Sequence, residues 1–222
     1  MTAIAIIPAR GQSKRIPRKN LRYFAGKPLL AYAVDACLAR GYFAQVIVTT
    51  EDAEIASLAR KLGARVHDRP AALADDFAPL APVVLDVLAG NYGMSQEVAV
   101  VLANPFVRAA DIVDGCVMAA GNYGPVATVA RLPVPVERVL RRDDDGTLSM
   151  PAMESTRTQD LPAAYHDAGQ FYVTWHGELA ASGQLLVGTY PFVLPRERVC
   201  DLDTEDDWRA AELMWRFLDG KR

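Results

Sequence analysis

The sequence predicts an α/β fold of three layers, a mostly parallel central sheet between two layers of helices. Two observations carry this reading. Short apolar runs of strand length recur through the first half of the chain, and helix-period apolar stripes closed by glycine separate them. Strands joined by helices of that length imply right-handed crossovers and parallel pairing, a Rossmann-like arrangement. With 222 residues, 51% of them hydrophobic and 23% charged, the chain suits a single domain, 1–222, with a well-buried core.

Taken in order, Ala3–Pro8 reads as a buried strand, and a basic loop follows it. A helix is predicted from about Pro28, with Leu30, Val34, Cys37 and Leu38 on one face and Gly41 at its end. Gln45–Thr49 is the next strand. The helix 52–62 sets Ile55, Leu58, Ala59 and Leu62 on one stripe and stops at Gly63. Ala64–Val66 reads as a short strand, Leu80, Val84, Val87 and Leu88 mark a helix, and Val98–Leu102 is a third buried strand. Ile112, Val113, Cys116 and Val117 mark another helix.

The second half changes character. Pro133 and Pro135 argue against a regular central strand over Val126–Val136. Arg138–Leu140 and Thr147–Met150 flank Asp143-Asp144-Asp145-Gly146, a hairpin-turn composition, so an arm projecting over about residues 130–165 and used for dimerisation is expected. Gln170–Val173 and Pro191–Leu194 add strands. The last helix starts after Thr204, with Asp207 three residues on and Trp208, Ala211, Trp215 and Leu218 as its buried stripe.

Composition narrows the function. A formal net charge of −3 argues against a nucleic-acid binder. The longest apolar runs are too short to span a bilayer, and residues 1–9 lack a charged-then-apolar leader, so neither a membrane nor a secretion route is expected. Cys37, Cys116 and Cys200 lie far apart and read as core thiols of a protein in the reducing cytoplasm.

Charge is nevertheless bunched. Arg10, Lys14, Arg15, Arg18, Lys19, Arg22 and Lys27 all precede the first acidic residue, Asp35. A loop after the first strand of such a sheet lies where ligands bind, and its cations with Gly11 suit a triphosphate of about four negative charges. It is neither a Walker loop nor a dinucleotide fingerprint. Near the other end, an extended 199–203 segment would turn Asp201 and Asp203 to one side, a pair of carboxylates suited to Mg²⁺.

The run Ile6-Ile-Pro-Ala-Arg-Gly-Gln-Ser-Lys-Arg-Ile-Pro-Arg-Lys-Asn20, then Gly26-Lys-Pro-Leu29, resembles the amino-terminal signature of CMP-sialic acid synthetases and their relatives, and the likeness continues to about residue 216. That family has the nucleotide-diphospho-sugar transferase type of fold. The resemblance implies that Arg10, Gly11, Ser13, Lys14, Lys19 and Asn20 cradle CTP. Arg69, in Arg69-Pro70 and Leu73-Ala-Asp-Asp76, would approach the nucleotide, as would Asn104. Gln12 stands where the family usually has Gly, and Asn104 where relatives have a hydroxyl residue.

Tyr165-His-Asp-Ala-Gly-Gln-Phe-Tyr172 is similar to the pseudaminic acid branch rather than the sialic acid branch. It implies sugar-acid contacts from Arg157, Gln159, Tyr165, His166, Asp167 and Gln170, with the forked Arg157 suited to a carboxylate. Asp201-Leu-Asp203-Thr204 resembles the family's metal-binding segment, so Arg10, Lys14, Asp201 and Asp203 are the expected catalytic group. The expected activity joins CMP from CTP to a nine-carbon 2-keto sugar acid with Mg²⁺ in a homodimer. A sialic or legionaminic acid substrate, or nucleotide binding without turnover, are the alternatives.

Overall fold

A computed structural model describes residues 3–75, 78–89, 92–122, 124–150 and 157–219. Strand β1 (Ile4–Pro8) is followed by the basic loop, the small pair β2 (Tyr23–Phe24) and β3 (Lys27–Pro28), and helix α1 (Leu29–Leu38). Then come β4 (Gln45–Thr50), α2 (Ala53–Lys61), β5 (Arg65–Asp68), α3 (Leu80–Leu88), β6 (Glu97–Val101) and α4 (Ala109–Asn122). The second half holds β7 (Val126–Arg131), the hairpin β8 (Arg141–Arg142) and β9 (Leu148–Ser149), and the long β10 (Tyr165–Trp175). Helix α5 (His176–Ser182), β11 (Tyr190–Val193) and α6 (Glu205–Asp219) complete the described chain.

Seven strands form one sheet in the order β11-β7-β10-β6-β1-β4-β5. Its pairs are parallel except where β10 runs antiparallel between β6 and β7. The period of two along β1 builds both faces. Ala5 and Ile7 pack with α1, α2 and α4, through Leu30, Ile55 and Ile112, whereas Ile4 and Ile6 pack with α3 and α5, through Val84 and Leu179. These four of the five β1 side chains are buried, as a strand covered on both sides requires.

Asp52 caps α2, its carboxylate accepting the Glu54 and Ile55 N–H groups at 2.9 and 3.0 Å. A third cluster joins α6 to the basic loop and α1. Phe24 meets Trp208 and Trp215 edge-on, with centroids 5.4 and 5.7 Å apart, and Ile16, Leu29 and Leu202 fill the remaining space. This packing seats the start of α6 beside the loop that follows β1.

The structure corrects several sequence expectations. Residues 126–131 do form a strand with neighbours on both sides, because it ends before Pro133 and keeps every N–H it needs. Leu38 and Val117 are exposed rather than on their helices' buried faces. The hairpin strands are two residues each, and Arg138 lies in a helical turn before them. Helix α5 and the β2–β3 pair carried too few residues to show a period.

Candidate functional site

A cleft of about 550 Å³ opens at the carboxyl end of β1, within the roughly 300–1,000 Å³ of small-molecule sites. Arg10, Ser13, Lys14, Arg15, Lys19 and Asn20 line it from the loop, Arg69 from the segment after β5, and Asp203 from the far end of the chain. The seven loop cations therefore divide. Arg10, Lys14, Arg15 and Lys19 face the cleft. Arg18 pairs with Asp52 and Glu54 at 2.6 and 2.9 Å, Arg22 with Glu205 while lying over the Trp208 ring, and Lys27 with Asp35.

Local contacts shape the loop. Asn20 is buried and its amide donates to the Arg10 carbonyl at 2.9 Å, closing the loop on itself. Gly11 donates its N–H to Glu51 Oε1 at 2.7 Å, and a Cβ there would lie 2.4 Å from Asp52 Oδ2. Glycine is needed at this position for close approach. Arg69 is buried and donates to the Thr49 carbonyl at 2.7 Å, and burial lowers its pKa from the ordinary value.

Asp201 and Asp203 flank the buried Leu202, and both act electrostatically on Lys19. Loss of hydration raises the Asp201 carboxyl, and repulsion from Asp203 raises it further. Loss of hydration lowers the Lys19 ammonium against the pull of both acids. Among the described residues no three His, Cys, Asp or Glu side chains form a metal cluster. Two carboxylates beside a cationic cleft fit Mg²⁺, which takes one or two carboxylates and fills its shell with phosphate oxygens and water.

The cap read from the sequence, Thr204 with Asp207 three residues on, and further contacts that it did not reveal hold these acids in place. Asp207 Oδ2 accepts the Thr204 N–H at 2.7 Å and the Asp203 N–H at 3.2 Å, while the Asp207 N–H donates to Thr204 Oγ1 at 3.2 Å. This reciprocal cap fixes the turn into α6. Asn104, expected at the nucleotide, is buried below the cleft. Its amide donates to the Cys200 carbonyl at 3.0 Å and its oxygen accepts the Phe106 N–H at 2.9 Å. Gln170, expected at the sugar, is buried and donates to the Arg198 carbonyl at 2.6 Å.

The remaining expected sugar contacts lie apart from that lining. Arg157, Gln159, Tyr165 and His166 are exposed, on a helical turn and on the outer end of β10. Asp167 accepts the Tyr172 hydroxyl and the Gly169 N–H. Burial raises the Tyr172 phenol above its ordinary value, and Asp167 and Asp201 add to the rise. Asp76, beside Asp75 of the cleft wall, lies outside the described residues. A separate hollow of about 630 Å³ near α1, α4 and α6 is lined by Lys27, Arg108 and Arg198, of which Lys27 pairs with Asp35 and Arg198 with Asp111.

A cationic loop facing Asp203 across a cleft at the carboxyl end of a mostly parallel sheet is an arrangement of the α/β nucleotide-binding class, suited to a phosphate-bearing ligand. Residues 4–192 match the cytidylyltransferase family, and the chain belongs to it. It is 33% identical over 227 residues to a pseudaminic acid cytidylyltransferase of Campylobacter jejuni subsp. jejuni serotype O:2, covering 97% of each chain. It is 27% identical over 213 residues to an N-acylneuraminate cytidylyltransferase of Escherichia coli O18:K1:H7, covering 94% of this chain and 51% of that one. The fold is that of the CMP:2-keto-3-deoxy-manno-octonic acid synthetase solved with CTP, at a TM-score of 0.71 and 13% identity over 98% of this chain and 100% of that one.

Proposed function

We propose that this chain transfers CMP from CTP to a nine-carbon 2-keto sugar acid of the pseudaminic type, releasing pyrophosphate. The observation that carries the reading is the shared cleft. Lys14 and Asp203, from opposite ends of the sequence, line one cavity. Such a transfer asks for positioning and charge neutralisation more than for covalent catalysis. The anomeric hydroxyl of the sugar acid attacks the α-phosphorus, and the bond from that phosphorus to the pyrophosphate oxygen breaks.

In this reading Arg10, Lys14 and Lys19 hold the triphosphate, Gly11 and Ser13 bring the loop close to it, and Asn20 and Arg69 fix the walls. Asp201 and Asp203 hold Mg²⁺, which supplies charge neutralisation at the phosphates when bound. Asp167, whose carboxylate accepts the Tyr172 hydroxyl, contributes to holding the sugar acid. Arg157 and Gln159 meet the sugar acid from the arm at about 130–165, and Tyr165 and His166 from the start of β10, where they pair with Arg131 and Ala130, once a second copy of the chain packs against that side. Exposed Val136, Leu140 and Leu148 on that arm favour such a homodimer.

Incubation with CTP, Mg²⁺ and pseudaminic acid, read by product mass, tests the activity. A CMP-sugar is expected from wild type and none from Asp203→Ala with unchanged circular dichroism. Product from sialic or legionaminic acid alone would replace the substrate, and CTP binding without pyrophosphate from any acid would refute turnover. A monomer by light scattering would remove the dimer.

A further inference from the structure

Arg15 has a partner that the proposed reaction needs for another purpose. Its guanidinium lies 2.8 Å from Asp203 Oδ2, with the two side chains 65% and 39% exposed, and both residues line the cleft with Lys14 and Lys19. Asp203 is one of two carboxylates assigned to the divalent ion, and among the described residues no third acid, histidine or cysteine joins them in a metal cluster. A guanidinium on one carboxylate oxygen competes with a metal for that carboxylate, and a divalent ion placed beside an unmoved Arg15 would meet a like charge at close range.

We propose that Arg15 is an exchange counter-ion. It neutralises Asp203 while the cleft is empty and passes to the triphosphate when nucleotide and divalent cation arrive together. The inference rests on reading the cleft as the CTP site, and it adds a coupling that the reading alone does not contain. About four phosphate charges offer Arg15 a better partner than one carboxylate, and its departure frees Asp203 for the metal. Because the exchange links the two ligands, each raises the affinity for the other by the same factor. Arg15 is long and open to solvent, so the movement needs rotamer changes and no rearrangement of the fold.

The test uses the full chain and two probes, Mn²⁺ alone, followed by the paramagnetic signal of the free ion, and CTP alone in EDTA, followed by calorimetry. In Arg15→Ala, Mn²⁺ alone binds about two- to fivefold more tightly than in wild type, because an exposed ion pair no longer competes for Asp203. CTP alone binds more weakly, and the factor by which CTP improves Mn²⁺ binding shrinks. Arg15→Gln, which keeps the length without the charge, shifts both in the same directions, and Arg15→Lys restores part of the coupling. Mn²⁺ affinity that is unchanged or weaker in both neutral variants, with CTP still bound by wild type, overturns the exchange and leaves the cleft assignment standing. A wild-type chain that binds no CTP overturns the cleft assignment and the exchange with it.

Discussion

Asn104 and Cys200 are joined side chain to backbone, the Asn104 amide donating to the Cys200 carbonyl at 3.0 Å. This bond ties the loop after β6 to the segment that delivers Asp201. Gln170, from β10, ties the same segment two residues earlier through the Arg198 carbonyl. Two amides that look suited to reading a ligand are fastening a backbone. Asn104→Ala breaks two hydrogen bonds and costs about 2 kcal/mol in urea denaturation. It weakens Mn²⁺ binding in the presence of CTP more than it weakens CTP binding in EDTA. The reverse order in calorimetry would return Asn104 to the nucleotide.

Gly11 marks the closest packing in the loop. A methyl group there meets the Asp52 carboxylate and its Cβ at 2.4 and 2.7 Å, so either the loop or the start of α2 has to shift. Gly11→Ala lowers stability by about 1–3 kcal/mol, seen as a lower Tm, and calorimetry finds CTP bound more weakly. An unchanged Tm would show that the loop has room which the contacts deny.

Asp52 gives the fold an acid sensitivity of predictable sign. Burial pushes its carboxyl up, but the Ile55 and Glu54 N–H groups and Arg18 together hold it below the ordinary value. A depressed folded value makes the contribution complete above the unfolded pKa of about 3.9, and it is lost as pH falls through the folded value. Asp52→Ala therefore costs about 1–2 kcal/mol at neutral pH. The gap from wild type closes in acid, measured as denaturation midpoints across a pH series. A gap that widens in acid would contradict the assignment.

Trp208, in the first turn of α6, is buried against Phe24, with the Arg22 guanidinium 4.3 Å over its ring. Trp208→Ala costs about 3–5 kcal/mol and loosens the carboxylates from the loop. Trp208→Phe keeps most of the apolar contact and recovers most of the stability. Chemical denaturation and Mn²⁺ titration of both variants check the pair.

Much of this was legible before any coordinates. The cationic wall of the cleft was legible because like charges were crowded into one loop of an acidic chain, and Asp203, read from an extended segment near the other end, lines the same cleft. Helix stripes and glycine stops placed α1 to α4, since burial on one face imposes a period. Strand β7 was hidden by Pro133, which lies just past its end and was weighed against the whole run. Asn104 and Gln170 were assigned to ligands because an amide near a strand end serves a substrate or a carbonyl equally well, and only the fold shows which lies within reach. Arg15 gave no signal of its own among seven cations. Its partner is nearly the whole chain away.

The carboxylates enter the site from a segment that lies beyond every strand of the sheet. All seven strands lie within residues 4–193, so the sheet can form without residues 201–208. The carboxylates join the loop only when α6 docks and closes the aromatic cluster. Until then the loop offers its cations to any polyphosphate without the acids that would let a metal join them.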